Sequence, residues 1–179
     1  MKIPELIPPW SICSNSNLSW GGCTAGNSSS ENDGAAACVV TSEEKAKELA
    51  VKPLAYVNAF AVAGADPRRA YMTVPIAVKK ALKKSGLGIQ EMDLIEIQEA
   101  FAAQVLADLK MMELTGEDYQ KVNVNGSGIS LGHPIACTGT RVLVTLLHEM
   151  KRRNSRYGLE CICGGGGLGI AAIFERSKE

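Results

Sequence analysis

The sequence is short of the features that would place it quickly. Its 19 Lys and Arg balance 19 Asp and Glu, so the net charge is zero. That balance offers nothing in favour of an electrostatic nucleic-acid surface, and no nucleic-acid partner is expected. No run is apolar for long enough to span a bilayer, so no membrane association is expected. The opening MKIPELIPPW lacks the apolar core of a signal peptide, which with six cysteines points to a reducing, cytoplasmic setting. Histidine is scarce, with only His133 and His148, and Cys161 and Cys163 are separated by one residue rather than two. Neither arrangement fits zinc-ligand spacing, and no metal site is expected.

What remains is an ordinary globular composition, 46% hydrophobic and 21% charged over 179 residues. That is enough chain for one core. Residues 1–21 read as an irregular arm and residues 22–179 as a single domain. The Ser-, Asn- and Gly-rich run through residue 34 reads as loop. After it, residues 35–41 (AAACVVT) form a short apolar run with the look of a buried strand. Ser42 is placed to cap a helix. Residues 54–62 are strand-like. Residues 75–85 carry a helical stripe of Ile76, Val78, Ala81 and Leu82, closed by Gly86.

Residues 93–97 form another strand. Residues 100–114 follow as a helix whose apolar side is Phe101, Val105, Leu106 and Leu109. Residues 122–132 are a glycine-rich loop. The stripe Val142, Leu143, Leu146, Leu147 and Met150 marks a strongly amphipathic helix over 140–153, with basic residues in its last turn. Residues 160–163 and 168–174 are strands joined by a glycine turn, hence an antiparallel pair. Alternating strands and helices predict an α/β fold with a mixed sheet covered by helices on both faces.

Three places offer chemistry. His133, in Gly-His-Pro ahead of a helix, is placed to act as a base or donor, or to satisfy loop carbonyls. Cys163 ends a strand just before Gly164–Gly167. It reads either as a reactive thiol beside free backbone N–H groups or as a buried strand cysteine before a hairpin. Gln98 and Glu99 stand where a strand gives way to a helix, which is both a ligand position in open sheets and an ordinary helix start. Each place taken alone leaves its structural reading open.

Together their order and spacing resemble the thiolase family. Residues 123–153 (NVNGSGISLGHPIACTGTRVLVTLLHEMKRR) resemble the thiolase signature segment, and residues 161–172 (CICGGGGLGIAA) its C-terminal active-site segment. Residues 97–107 (IQEAFAAQVLA) resemble its Asn-Glu-Ala-Phe motif, and residues 24–37 (TAGNSSSENDGAAA) its CoA-binding loop. The resemblance runs from Gly22 to Arg176. It implies a thiolase-like C-terminal domain and acyl transfer between acyl-CoA thioesters. It makes Cys163 the general acid/base and His133 the residue that activates the acyl-accepting cysteine and holds a thioester oxygen. The Gly165 N–H serves an oxyanion hole, and Gln98 stands where thiolases carry the Asn of another. Ala25, Ser29, Ala100 and Phe101 fall on positions that contact coenzyme A, which is a substrate; no permanently bound cofactor is implied.

Several residues depart from the family pattern. Gln98 is longer than the usual Asn by one methylene. Glu31 replaces an apolar residue beside CoA, Ser127 replaces a Gly, and Gly164 replaces a branched residue. Nothing here resembles the N-terminal half that carries the acyl-accepting cysteine. The resemblance therefore implies a partner, either a thiolase N-terminal half or a second copy in a homo-oligomer. The alternative implied by the departures is an inactive thiolase-like domain that binds CoA or serves assembly.

Overall fold

The computed structural model of the chain describes residues 23–177. The arm expected over residues 1–21 lies outside them. Helix α1 is Glu43–Glu48, strand β1 Ala55–Gly64, helix α2 Thr73–Ser85, strand β2 Leu94–Ile97 and helix α3 Ala102–Met111. Then come a one-turn helix α4 at Gly128–Leu131, helix α5 Thr138–Arg153, strand β3 Tyr157–Gly164 and strand β4 Leu168–Arg176. The sheet has four strands in the order β1-β4-β3-β2. β2 and β3 are parallel, whereas β4 is antiparallel to both β3 and β1. The expected mixed sheet and the expected β3–β4 antiparallel pair are both present.

Side chains alternate across a strand, and the core divides accordingly. Ile95, Ile97, Leu159, Cys161, Ala171, Ile173, Ala61 and Ala63 form one buried face with Val74, Ala77, Val78 and Ala81 of α2 and Leu109 of α3. Leu94 and Phe174 form the other with Leu146 and Met150 of α5. Helices thus cover both faces, but unequally. α5 sits over the β2 and β3 side, and Gly158 is the device that lets it approach. A Cβ there would stand 2.5 Å from Met150 Sδ and 3.0 Å from Leu146 Cδ1. On the same face at the β1–β4 end, Val57, Phe60, Val62, Leu168 and Ile170 remain 47–59% exposed.

The helix ends follow the sequence. Gly86 at φ +73° closes α2 with its N–H on the Leu82 carbonyl, and Asn154 at φ +58° closes α5. Ser42 caps α1 by accepting from the Lys45 N–H at 3.2 Å.

Two expectations fail. Residues 35–41 form no strand, and Val39 and Val40 are 94% and 79% exposed. A strand needs a neighbour for its N–H and C=O groups. The β1 edge has spent two carbonyls elsewhere, Val62 on Lys80 and Phe60 on Lys84. In α3 the apolar stripe is rotated. The helix starts only at Ala102, Phe101 and Leu106 are exposed, and the buried positions are Gln104, Asp108 and Leu109. The sheet-facing side of this helix is therefore partly polar.

Candidate active site

The carboxyl ends of the parallel strands β2 and β3 meet at one end of the sheet, where open α/β sheets bind ligands. Gln98 follows β2, and its N–H donates to the Cys161 carbonyl at 3.0 Å. Cys163 is the next residue but one along β3, half-buried, opposite Gly169 of β4. Burial pushes its thiol above the ordinary value, and the carboxylate of Asp108 adds to the shift. The turn beyond it needs glycine at two places. Gly166 and Gly167 sit at φ +80° and +87°, and a Cβ on Gly167 would overlap the Ala65 carbonyl. Gly165 is exposed, with open space where a Cβ would stand.

His133 is held from three sides. Its backbone N–H lies 3.0 Å from both the Ser30 carbonyl and Asn32 Oδ1. The preceding Gly132, at φ +96°, has no room for a Cβ because the Asn32 side chain occupies that space. The ring Nδ1 lies 2.7 Å from Thr138 Oγ1, and the Thr138 hydroxyl donates to the Pro134 carbonyl at 3.0 Å. A hydroxyl has one proton. With that proton on Pro134, Nδ1 must carry the hydrogen and donate to Thr138, which leaves Nε2 bare as the basic nitrogen. Burial and the nearby Arg141 guanidinium lower the imidazole's pKa, so the neutral ring predominates at pH 7.

The other motifs converge on these residues. The Ser29 N–H donates to the Ala100 carbonyl at 3.0 Å, and Ser28 bridges Phe101. Glu31 bridges His133, and an open cleft of about 520 Å³ is lined by Glu31, Asn32, Asp33, His133 and Ile135. Ala25 is exposed in a short 3-10 turn at the start of the same loop. Glu99 braces the glycine-rich loop, accepting from Asn123 Nδ2 at 3.0 Å and the Ile129 N–H at 3.1 Å. The Gln98 side chain is 1% exposed and lies against Gly128, with neither amide atom hydrogen-bonded. Ser127 is buried and donates to the Ile97 carbonyl at 3.0 Å, a role its hydroxyl performs and a glycine would not. No hydrogen bond joins His133 to Cys163 among the described residues.

Thr138, Asn32, Asp108 and Arg141 were not singled out from the sequence. Thr138 lies five residues after His133, and a hydroxyl there was a recoverable signal. Asp108 sat in a helix read as apolar on its inner side, and nothing in the pattern marked it.

A histidine hydrogen-bonded to a threonine hydroxyl and a strand-end cysteine before a glycine turn are groups able to exchange protons. Residues 51–176 match the family described as "Thiolase, C-terminal domain". The chain belongs to the thiolase family and corresponds to its C-terminal domain. It is 53% identical over 156 residues to an acetyl-CoA acetyltransferase of Cupriavidus necator, covering 87% of this chain and 39% of that protein. It is 47% identical to a 3-ketoacyl-CoA thiolase of Klebsiella pneumoniae over 87% of this chain and 40% of the relative. The crystal structure of the Bacillus anthracis acetyl-CoA acetyltransferase superposes with a TM-score of 0.83 at 48% identity, over 87% of this chain and 39% of that one. Human mitochondrial 3-ketoacyl-CoA thiolase in complex with CoA superposes at 0.80 with 37% identity, over 87% and 39%. The chain thus spans about two fifths of the length of the relatives it matches. No helix among the described residues is long and apolar enough to cross a membrane.

Proposed function

We propose that this chain is the C-terminal portion of a thiolase that interconverts acetoacetyl-CoA plus CoA with two acetyl-CoA once an N-terminal half supplies the acyl-accepting cysteine. The observation that carries the reading is the Pro134–Thr138–His133 chain, which presents a bare Nε2 on a neutral imidazole beside the loop that resembles the family's CoA-binding segment.

In the thiolytic direction Nε2 of His133 takes the proton from the partner's cysteine thiol, and the thiolate attacks the ketone carbonyl of acetoacetyl-CoA. Collapse of the adduct breaks the carbon–carbon bond and leaves an acetyl thioester on that cysteine. The departing acetyl-CoA carbanion takes its proton from the Cys163 thiol. A thiol kept neutral by burial suits that acid role. The free CoA thiol then gives its proton to the Cys163 thiolate while its sulfur takes the acetyl group, and the released cysteine thiolate recovers its proton from His133. The Gly165 N–H stabilises the oxyanion on the acylated cysteine, and Gln98 contributes to the hole opposite. Ala25, Ser29, Ala100 and Phe101 line the path of the pantetheine arm. The exposed β1–β4 face and the exposed residues 35–41 are surfaces for the N-terminal half.

The test uses the part of the Cupriavidus necator enzyme that precedes its matched segment, produced as a separate chain. Mixed with this chain it should cleave acetoacetyl-CoA, and His133→Ala and Cys163→Ala should each abolish the cleavage. Failure of the wild-type mixture would sink the reading. A second reading, an inactive CoA-binding or assembly domain, is favoured by the Glu31 carboxylate in the cleft and by the unpartnered Gln98 amide. It predicts CoA binding by calorimetry with no turnover in the same mixture.

A further inference from the structure

One row of the sheet runs from open to closed. Phe60 of β1 pairs with Ala172 of β4, Ala172 with Glu160 of β3, and Glu160 with Glu96 of β2. Paired residues share a face, so these four side chains stand side by side. Phe60 is 59% exposed, Glu160 is half-buried, and Glu96 is 2% exposed beneath α5. Neighbouring rows on the open side are apolar, with Val62, Ile170 and Leu168 at 47–53% exposure. Glu160 is therefore an acid at the inner rim of a hydrophobic surface.

Its surroundings do not neutralise it. Among the described residues, Arg141 of α5 is the cation that acts on the two carboxyls, and no ion pair joins it to either. Its Nη2 donates to the Gly132 carbonyl at 3.3 Å, while its Nη1 and Glu96 Oε2 are buried without partners. Burial pushes Glu96 up to about 7 and Glu160 up to about 8; Glu99 and Glu149 add to Glu96, Glu96 adds to Glu160, and Arg141 opposes on both. Two carboxyls thus face one guanidinium. Under a purely apolar cover Glu160 would stay protonated with no charge partner, whereas an incoming cation would favour its ionised form and pair with it.

We infer that the N-terminal half docks on the β1–β4 face with an arginine or lysine directed at Glu160, so that the cluster Glu96–Glu160–Arg141 is completed by a side chain from the partner. The inference rests on the assembly reading above and concerns what fixes the register and strength of that assembly.

The test measures the affinity of this chain for the separately produced N-terminal portion of the Cupriavidus necator enzyme, by sedimentation, from pH 6 to 8.5. Wild-type affinity should rise with pH, because docking on a cation favours the ionised form of Glu160. Glu160→Gln should bind at least about tenfold more weakly at pH 8.5 and lose most of the pH dependence. Glu160→Lys should abolish assembly, and one Arg→Glu or Lys→Glu substitution in the N-terminal portion should restore it. The urea midpoint of isolated Glu160→Gln should match or exceed wild type, which separates docking from folding. Equal or tighter binding by Glu160→Gln, or no restoring substitution, overturns the inference while leaving assembly intact. No binding by wild type overturns the assembly reading itself.

Discussion

Replacing Asp108 by Asn should stabilise the fold above neutral pH and leave it nearly unchanged near pH 4. Asp108 is 0% exposed, its Oδ2 accepts from Gln104 Nε2, and its Oδ1 has no partner. Burial raises its pKa from 3.8 to about 7, against the opposing Gln104 bond. The sign follows from proton counts. The folded chain keeps a proton that the unfolded chain releases, so stability falls as pH climbs from about 4 to about 7 and is flat beyond. At about 1.4 kcal/mol per tenfold change in acidity the penalty at pH 8 has a ceiling of roughly 4 kcal/mol. Asn keeps the Gln104 bond but adds a buried donor, which returns about 1 kcal/mol or more. The expected gain is thus on the order of 1–3 kcal/mol at pH 8, read as a rise in urea midpoint. The same substitution removes a negative charge that helps raise the Cys163 thiol. Cys163 should therefore alkylate faster with iodoacetamide at pH 8, resolved by peptide mass mapping from the exposed Cys23 and Cys38. An Asn variant less stable than wild type at pH 8, or one gaining equally at pH 4, would refute the electrostatic argument.

Other substitutions test the site and the packing that holds it. Thr138→Val removes the acceptor for His133 Nδ1–H; in the assembled enzyme thiolysis should fall on the order of 100-fold with the fold intact by circular dichroism. Gly132→Ala places a Cβ against Asn32 at a left-handed φ and should lower stability by about 1–3 kcal/mol, measured in urea. Gly158→Ala pushes α5 off β3 through Met150 and Leu146 and should cost about 1–3 kcal/mol; a midpoint unchanged from wild type would show that the helix has room to move.

The sequence made most of the architecture legible because its signals were local. The α5 stripe was read as it stands, with Val142, Leu146 and Met150 buried, since a 3.6-residue period over sixteen residues leaves one face to bury. Gly86 and Ser42 mark helix ends by backbone chemistry that needs no tertiary context. The α3 stripe failed because Phe101 lies before the helix begins, and because a buried Gln104–Asp108 pair has no apolar signature. At the site, the sequence placed His133 and Cys163 and gave their setting, a loop into a helix and a strand end before glycines. It did not show what sets their protonation. The tautomer of His133 depends on where Thr138 sends its one proton, and the Cys163 thiol feels a carboxylate from another element. Both are long-range or directional facts that a residue pattern does not encode.

Residues 35–41 show the same limit from the other side. Their short continuous apolar run is a buried strand's pattern, yet nearly all of them lie exposed and none pairs in a strand, with Val39 at 94%. The pattern is an intrinsic preference, while pairing requires a second strand edge. The β1–β4 face repeats the argument in side chains: apolar residues that a folded chain ordinarily buries stand open on a sheet whose opposite face is filled. The chain spans about two fifths of the length of its relatives, and in the assembly proposed above these residues face the N-terminal half. On that reading, Val39→Asp combined with Val40→Asp should leave the urea midpoint of the isolated chain within about 0.5 kcal/mol of wild type, because neither residue is buried. The same pair should weaken assembly with an N-terminal half. If the double variant instead unfolds the isolated chain, these residues already serve its own core, and their exposure does not mark a surface awaiting a partner.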